Sequence, residues 1–388
     1  MGSKRKRGAK DSVVPLSQPT TKRTKKNPDS KKAAPATTDL DKSPFSDYPT
    51  VDGRKREAAL YDLLGSENSS DRINAADAIV SALLGGEGVS EHALDRHLDK
   101  RLFRGLASGR NASRIGFSLV ITEVLRQLFG KEDLGSTRYP GLTFDTVLKI
   151  LVERTHAGGN IPGQEERDHY FGQLFGIECF VSAGILFDDK TRWLSIVDLL
   201  LSLANKKVWL RSQCGWIIVQ AMQNMKRKLA EKTLQKLSDE GLSKTPEGVG
   251  IWIVALDRFP DMKVPSKPWT NPLSPKAFGD LPTVLKDSGR EASNAQDVTG
   301  RKQKQSNWTA QLHFVWDVIL AHFMNIPATD LEAAETFTLF WNRVVDGEPP
   351  RSPLISLLQL LICSRKLLFQ ECLRQPEILR IHDLPEDD

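Results

Sequence analysis

Long apolar runs are missing from this 388-residue chain. No stretch approaches the roughly 18 consecutive apolar residues that a membrane helix needs, so no membrane contact is expected. The start, MGSKRKRGAK, has no apolar core, and no secretory signal is expected there. Cysteine is scarce as well: Cys179, Cys214, Cys363 and Cys372 form no CxxC pair and lie inside apolar runs. That pattern gives neither a disulfide framework nor zinc-ligand spacing, and burial as small apolar side chains is expected. Together these absences predict a soluble intracellular protein in a reducing compartment. Strand signals are equally thin. No segment alternates apolar and polar residues over a strand length, and the two Asp-Gly pairs, Asp52-Gly53 and Asp346-Gly347, do not separate apolar runs.

Charge is present but unevenly placed. Residues 1–32 carry 11 Lys/Arg against 2 Asp/Glu, whereas the remaining residues hold 43 basic and 47 acidic groups. A basic tail is therefore joined to a mildly acidic body. Residues 1–53, rich in Lys, Ser, Thr and Pro, bury too little apolar surface to offset the entropy of ordering and are expected to be disordered. Two compact clusters lie within them, Lys4-Arg5-Lys6-Arg7 and Lys22-Arg23-Thr24-Lys25-Lys26, and a third run follows at Arg54-Lys55-Arg56. Such clusters suit an import receptor, and they suit the phosphate backbone of DNA or RNA, where Lys and Arg displace counterions without reading bases.

Beyond residue 53 the pattern is helical. Ser70-Asp71 is expected to open a helix whose Ile73, Ala76, Val80, Leu83 and Leu84 form one apolar stripe, stopped by Gly85-Gly86. Ser90 opens another with Leu94, Leu98, Leu102 and Leu106 at four-residue spacing, a third runs from about Ala112 to Gly130, and Thr143 begins a fourth. Further helices are expected over 165–186, 191–204, 207–229 and 229–239. Helix pairs recur about every 40 residues, the spacing of HEAT or armadillo arrays. The predicted fold is all-α: a HEAT/armadillo-like α-solenoid over residues 54–256, resumed over 308–345. Between them, residues 257–307 hold six prolines and a polar run, and read as an insertion loop.

The stretch RLFRGLASGRNASRIGFSLVITEVLRQLFG, residues 101–130, tempts a phosphate-loop reading. A P-loop, however, needs Gly, four residues, then Gly-Lys-Ser/Thr after a strand. Here three residues separate Gly105 from Gly109 and a helix leads in, so the glycines read as a joint between helices: Gly105 for close approach, Gly109 for a positive φ. Arg101, Arg104, Arg110 and Arg114 are candidates for a basic rim at that joint, with a solvated edge as the blander reading. Trp193, Trp209, Trp216, Trp252 and Trp316 each lie in an apolar helical run, where core packing is expected over base stacking.

The same stretch, with YFGQLFGIECFVSAGIL (170–186) and LHFVWDVILAHF (312–323) following in order, resembles the Myb-binding protein 1A family, whose fungal members carry the name DNA polymerase V or polymerase phi. The resemblance covers about residues 55–345, corresponding to the N-terminal part of the family pattern. It implies a helical-repeat protein of the nucleus and nucleolus, acting in ribosomal RNA gene transcription and ribosome biogenesis. The implied partners are ribosomal DNA or RNA and nucleolar transcription or pre-ribosome proteins. After Val345 the chain departs from that pattern. Residues 346–388 are expected to be a divergent end, such as a truncated or frame-shifted product would carry.

The polymerase name implies two metal ions held by paired carboxylates, yet no Asp-Thr-Asp hairpin motif occurs. Asp39-Leu40-Asp41 falls in the tail, Asp188-Asp189 suits a helix cap, and His92 and His97 lack the intervening Glu of a zinc-protease helix. No enzyme activity, metal or cofactor is expected, with a DNA polymerase and a solenoid transport adaptor as the alternatives. Replacing Lys4, Arg5, Lys6, Arg7, Lys22, Arg23, Lys25 and Lys26 by alanine should leave a fluorescent fusion largely cytoplasmic. Unchanged nuclear accumulation would refute the import role of the tail.

Overall fold

The computed structural model describes residues 40–159, 163–286, 313–327 and 330–345. The tail clusters, residues 287–312, Cys363 and Cys372 lie outside the described residues. Every regular element among those described is helical. In order they are α1 (Val51–Leu63), α2 (Ser69–Leu84), α3 (Glu91–His97), α4 (Phe103–Leu106), α5 (Asn111–Phe129), α6 (Leu134–Thr137), α7 (Phe144–Arg154) and α8 (Gly163–Ser182). After these come α9 (Lys190–Lys206), α10 (Arg211–Met222), α11 (Arg227–Asp239), α12 (Pro246–Arg258), α13 (Leu281–Leu285), α14 (Phe314–Asn325) and α15 (Leu331–Phe340). None is long and apolar enough to cross a membrane.

Short polar side chains start these helices, as local chemistry requires. Ser90, Thr143 and Asp189 each accept a backbone N–H from the first turn of α3, α7 and α9, satisfying donors that have no partner inside the helix. Asn68, rather than Ser70, caps α2, and Ile73 is 58% exposed, off the stripe assigned to it. Thr245 caps α12, with Pro246 at the first position, where its missing N–H costs nothing. This helix holds Trp252 in the apolar helical run expected for that residue, and Trp252 is fully buried.

Packing proceeds stepwise along the chain. Helices α2, α5, α8, α10, α12 and α14 each contact the next in that order, while α1, α4, α7, α9 and α11 lie against them. Leu94, Leu98, Leu102 and Leu106 are all fully buried, although a π-helical turn at Leu98–Leu102 joins α3 to α4. Removing each from water contributes about 1.5–3 kcal/mol. Cys179 and Cys214 are buried thiols whose pKa values burial pushes up to about 11 and 12, as inert core cysteines require.

Residues 40–53 of the expected disordered tail and residues 257–286 of the expected insertion loop pack on the folded body. Phe45 is buried with its ring stacked 4.8 Å from His97, and its N–H donates to the Ala82 carbonyl at 3.1 Å. Ser90 Oγ donates to Asp47 at 2.7 Å. Residues 40–53 thus belong to the same compact unit as the helices, because one aromatic anchor suffices to hold a segment whose average composition is polar. Likewise, residues 257–286 pack Met262, Trp269, Leu273, Phe278 and Leu281 into the core. Their prolines stop regular helices without preventing burial.

Two buried polar pairs fasten this framework. At α14, the Val315 N–H donates to His313 Nδ1 at 3.1 Å, so Nε2 carries the proton and donates to Glu247 at 3.1 Å. Burial works to raise the Glu247 pKa, but the bond and field of His313 outweigh it and the carboxyl stays below its ordinary value. At α3, the Arg96 guanidinium lies 3.1 Å from His97 Nε2 and can only donate, so Nδ1 bears the proton and donates to the Tyr61 oxygen at 2.9 Å.

Burial, then the fields of Arg96 and Arg101, lower the His97 pKa from 6.5 to about 3. The folded state thus refuses a proton that the unfolded chain takes up below 6.5. Its contribution to stability is complete above that pH and lost progressively as pH falls toward 3. Denaturant unfolding between pH 6.5 and 4 should show a shallower pH slope for His97→Gln than for the natural chain, by up to about 1.4 kcal/mol per pH unit. Equal slopes would show that His97 does not act this way.

Candidate nucleic-acid interface

The joint between α4 and α5 is built on close backbone approach. A Cβ on Gly105 would meet the Phe117 ring, one on Gly116 the Leu64 carbonyl, and one on Gly172 the backbone of Leu106 and Ala107. These contacts seat α5 on the end of α1 and α8 on the joint. Gly105 thus has the expected close approach. Gly109 does not have the expected positive φ; its Cα faces the Asp168 carboxylate.

The four arginines singled out at this joint do not form one rim. Arg114 is buried at 8% exposure, its Nη2 donating to Asp168 at 2.7 Å and its guanidinium lying 5.2 Å from the Phe171 ring centre. Burial lowers its pKa and the Asp168 carboxylate opposes that shift. It is a fastener between α5 and α8, placed inward because α5 turns Ser113, Arg114 and Gly116 toward its neighbours. Arg110 is exposed but engaged, with the Gly65 carbonyl and with Glu67 at 3.1 Å. Arg101 is exposed with its guanidinium 5.9 Å from the Tyr61 ring centre, and Arg104 is exposed.

A denser group lies one step along, where α8 meets the turn between α9 and α10. Trp209 sits in a 3-10 turn at Val208–Leu210 and is 40% exposed, next to the more exposed Val208. The guanidinium of Arg167 lies 5.1 Å from the Trp209 ring centre and 5.5 Å from that of Phe171, and the two rings are 5.4 Å apart. Tyr170 meets Trp209 edge-on at 6.4 Å, and the ammonium groups of Lys206 and Lys207 lie 5.3 and 4.9 Å from the Tyr170 ring centre.

Lys207 donates to Glu166 at 2.7 Å, a bond that raises the lysine pKa and lowers that of the carboxyl. Arg167 and Lys206 make no ion pair among the described residues. Trp193 and Trp252 are buried as expected, and Trp216 and Trp316 are partly buried against the core, but Trp209 is not a core residue. The run Lys206-Lys207-Val208-Trp209, basic and aromatic together after a helix end, is the sequence signal that marks it.

Elsewhere, Asp189 is occupied in capping α9 and Asp188 pairs with Lys226 at 3.2 Å. No group of three or more His, Cys, Asp or Glu side chains that could hold a metal occurs among the described residues.

The buried and exposed arginines should separate experimentally. Arg114→Ala leaves the partly buried Asp168 without its partner and should cost about 2–3 kcal/mol in denaturant unfolding. Arg110→Ala should cost about 1 kcal/mol or less, as exposed pairs do. Equal costs would contradict the placement of Arg114.

Comparison with known proteins fits this arrangement to a family. The family model described as DNA polymerase phi matches residues 97–352. The rDNA transcriptional regulator pol5 of Schizosaccharomyces pombe is 31% identical over 304 residues, covering 75% of this chain and 29% of the relative. The rDNA transcriptional regulator POL5 of Saccharomyces cerevisiae is 29% identical over 295 residues, covering 69% and 29%. A Myb-binding protein 1A-like protein of Danio rerio is 25% identical over 242 residues, covering 61% and 17%. The chain thus spans less than a third of the length of these curated relatives. No solved structure matches. The match across the α3–α5 joint, α8 and the helices that follow makes this chain a member of the DNA polymerase phi family.

Proposed function

We propose that this chain is a nuclear, nucleolar helical-repeat scaffold that supports transcription of ribosomal RNA genes and ribosome biogenesis. The observation that carries the proposal is the similarity, over 75% of the chain, to a relative named as an rDNA transcriptional regulator. The stepwise packing of α2, α5, α8, α10, α12 and α14 supports a HEAT/armadillo-type array as the scaffold, since each unit in such arrays contacts chiefly its neighbours. The basic tail supplies non-specific backbone contact with ribosomal DNA or RNA and engages an import receptor. Nucleolar transcription or pre-ribosome proteins are the expected partners along the array.

A regulatory role is preferred to template-directed synthesis because the fungal relatives are named for regulation. Asp188 and Asp189 also have structural duties of their own, pairing with Lys226 and capping α9. A transport adaptor has less support, as none of the relatives is named for transport.

The proposal is tested by depleting the protein in its own cells and pulse-labelling the ribosomal RNA precursor. Precursor synthesis should fall severalfold and return when the natural chain is re-expressed. Unchanged labelling after complete depletion would overturn the role in ribosomal RNA synthesis. Nucleotide incorporation by the purified chain on a primed template would overturn the non-enzymatic reading.

A further inference from the structure

The geometry points to the surface formed by α8 and the α9–α10 turn as a binding site for single-stranded nucleic acid, separate from the basic tail. It rests on the nucleic-acid association proposed above, and it adds a place on the folded body. Three observations combine. Trp209 presents 40% of its surface to solvent at a helix turn, where a base can reach it. Arg167, flat-headed and without an ion pair among the described residues, lies against both Trp209 and Phe171. Lys206 lies on the same side beside Tyr170, likewise without an ion pair.

Aromatic faces flanked by cations outside any close ion pair are what a single strand uses: bases stack on the rings, and phosphates meet the cations. The acidic groups nearby weaken this little. Glu166 is paired with Lys207 and Asp168 with Arg114, leaving Glu165 exposed. A duplex offers no unstacked base to an indole fixed at a turn, so the single strand is the fitting ligand. Stacking does not distinguish RNA from DNA, and both are tested.

The experiment uses the full-length chain with the eight cations of the two tail clusters, Lys4, Arg5, Lys6, Arg7, Lys22, Arg23, Lys25 and Lys26, replaced by alanine. Binding of fluorescent oligo-uridine, oligo-thymidine and a duplex of equal length is followed by anisotropy at moderate salt. Trp209→Ala and Arg167→Glu should each weaken binding of at least one single strand by roughly tenfold. Trp209→Phe should retain most of it, and duplex binding should change less than twofold. Circular dichroism checks that each variant is folded; should Trp209→Ala fail to fold, Arg167→Glu and Trp209→Phe still decide.

Unchanged single-strand affinity in Arg167→Glu and Trp209→Ala would overturn the site while leaving the tail's role intact. Equal losses for single strand and duplex would reduce the effect to charge and also overturn it. Displacement by polyglutamate as readily as by oligo-uridine of equal charge would reassign the surface to an acidic protein segment. Failure of the natural chain, tail intact, to bind any of the three would instead count against the broader association.

Discussion

Everything downstream of the α4–α5 joint depends on backbone meeting backbone there. Gly172 lets α8 lie on the carbonyl of Leu106, and Gly116 lets α5 lie on the carbonyl of Leu64. A methyl group at either position would collide with main-chain atoms that have nowhere to move, in a core packed as tightly as a crystal. The Arg114–Asp168 pair then locks the same two helices across the contact. Because one partner alone would be left as a partly buried charge, this pair specifies the relation of α5 to α8 more than it adds stability.

That relation fixes what the next elements can present. With Phe171 packed beneath Arg114, its ring is set against Trp209, and Arg167 is placed over both rings. The joint itself therefore faces inward, as a fastener, and the chemically open surface lies one helix further along. Of the four arginines in the 101–130 stretch, Arg114 faces inward, whereas Arg101, Arg104 and Arg110 are exposed.

How much of this was legible in the residues follows from what each signal measures. Capping side chains and apolar spacing are local: Ser90, Thr143 and Asp189 act within one turn and located α3, α7 and α9, while apolar spacing alone located α5. The leucine ladder from Leu94 to Leu106 was equally visible, since burial of a four-residue repeat survives even a π-helical turn. Non-local facts were not. Phe45 becomes a core residue only because His97 and Ala82 come to meet it. Residues 257–286 are rich in proline, which describes their lack of helix but not the burial of Trp269 or Phe278. Arg114 and Trp209 exchanged their expected surroundings for the same reason. Type and spacing say that a residue can stack or pair, while the neighbouring helix decides whether it faces a carboxylate or water.

The proposed scaffold role divides nucleic-acid contact between the excess of positive charge in residues 1–32 and the aromatic surface proposed on the folded body. The most direct measurement of that division is photo-crosslinking of the full-length chain to thiouridine-containing single-stranded RNA, with the adducts mapped by mass spectrometry. The account predicts adducts on the peptides that contain Phe171 and Trp209. Adducts confined to residues 1–53, or scattered over the body without these peptides, would contradict it.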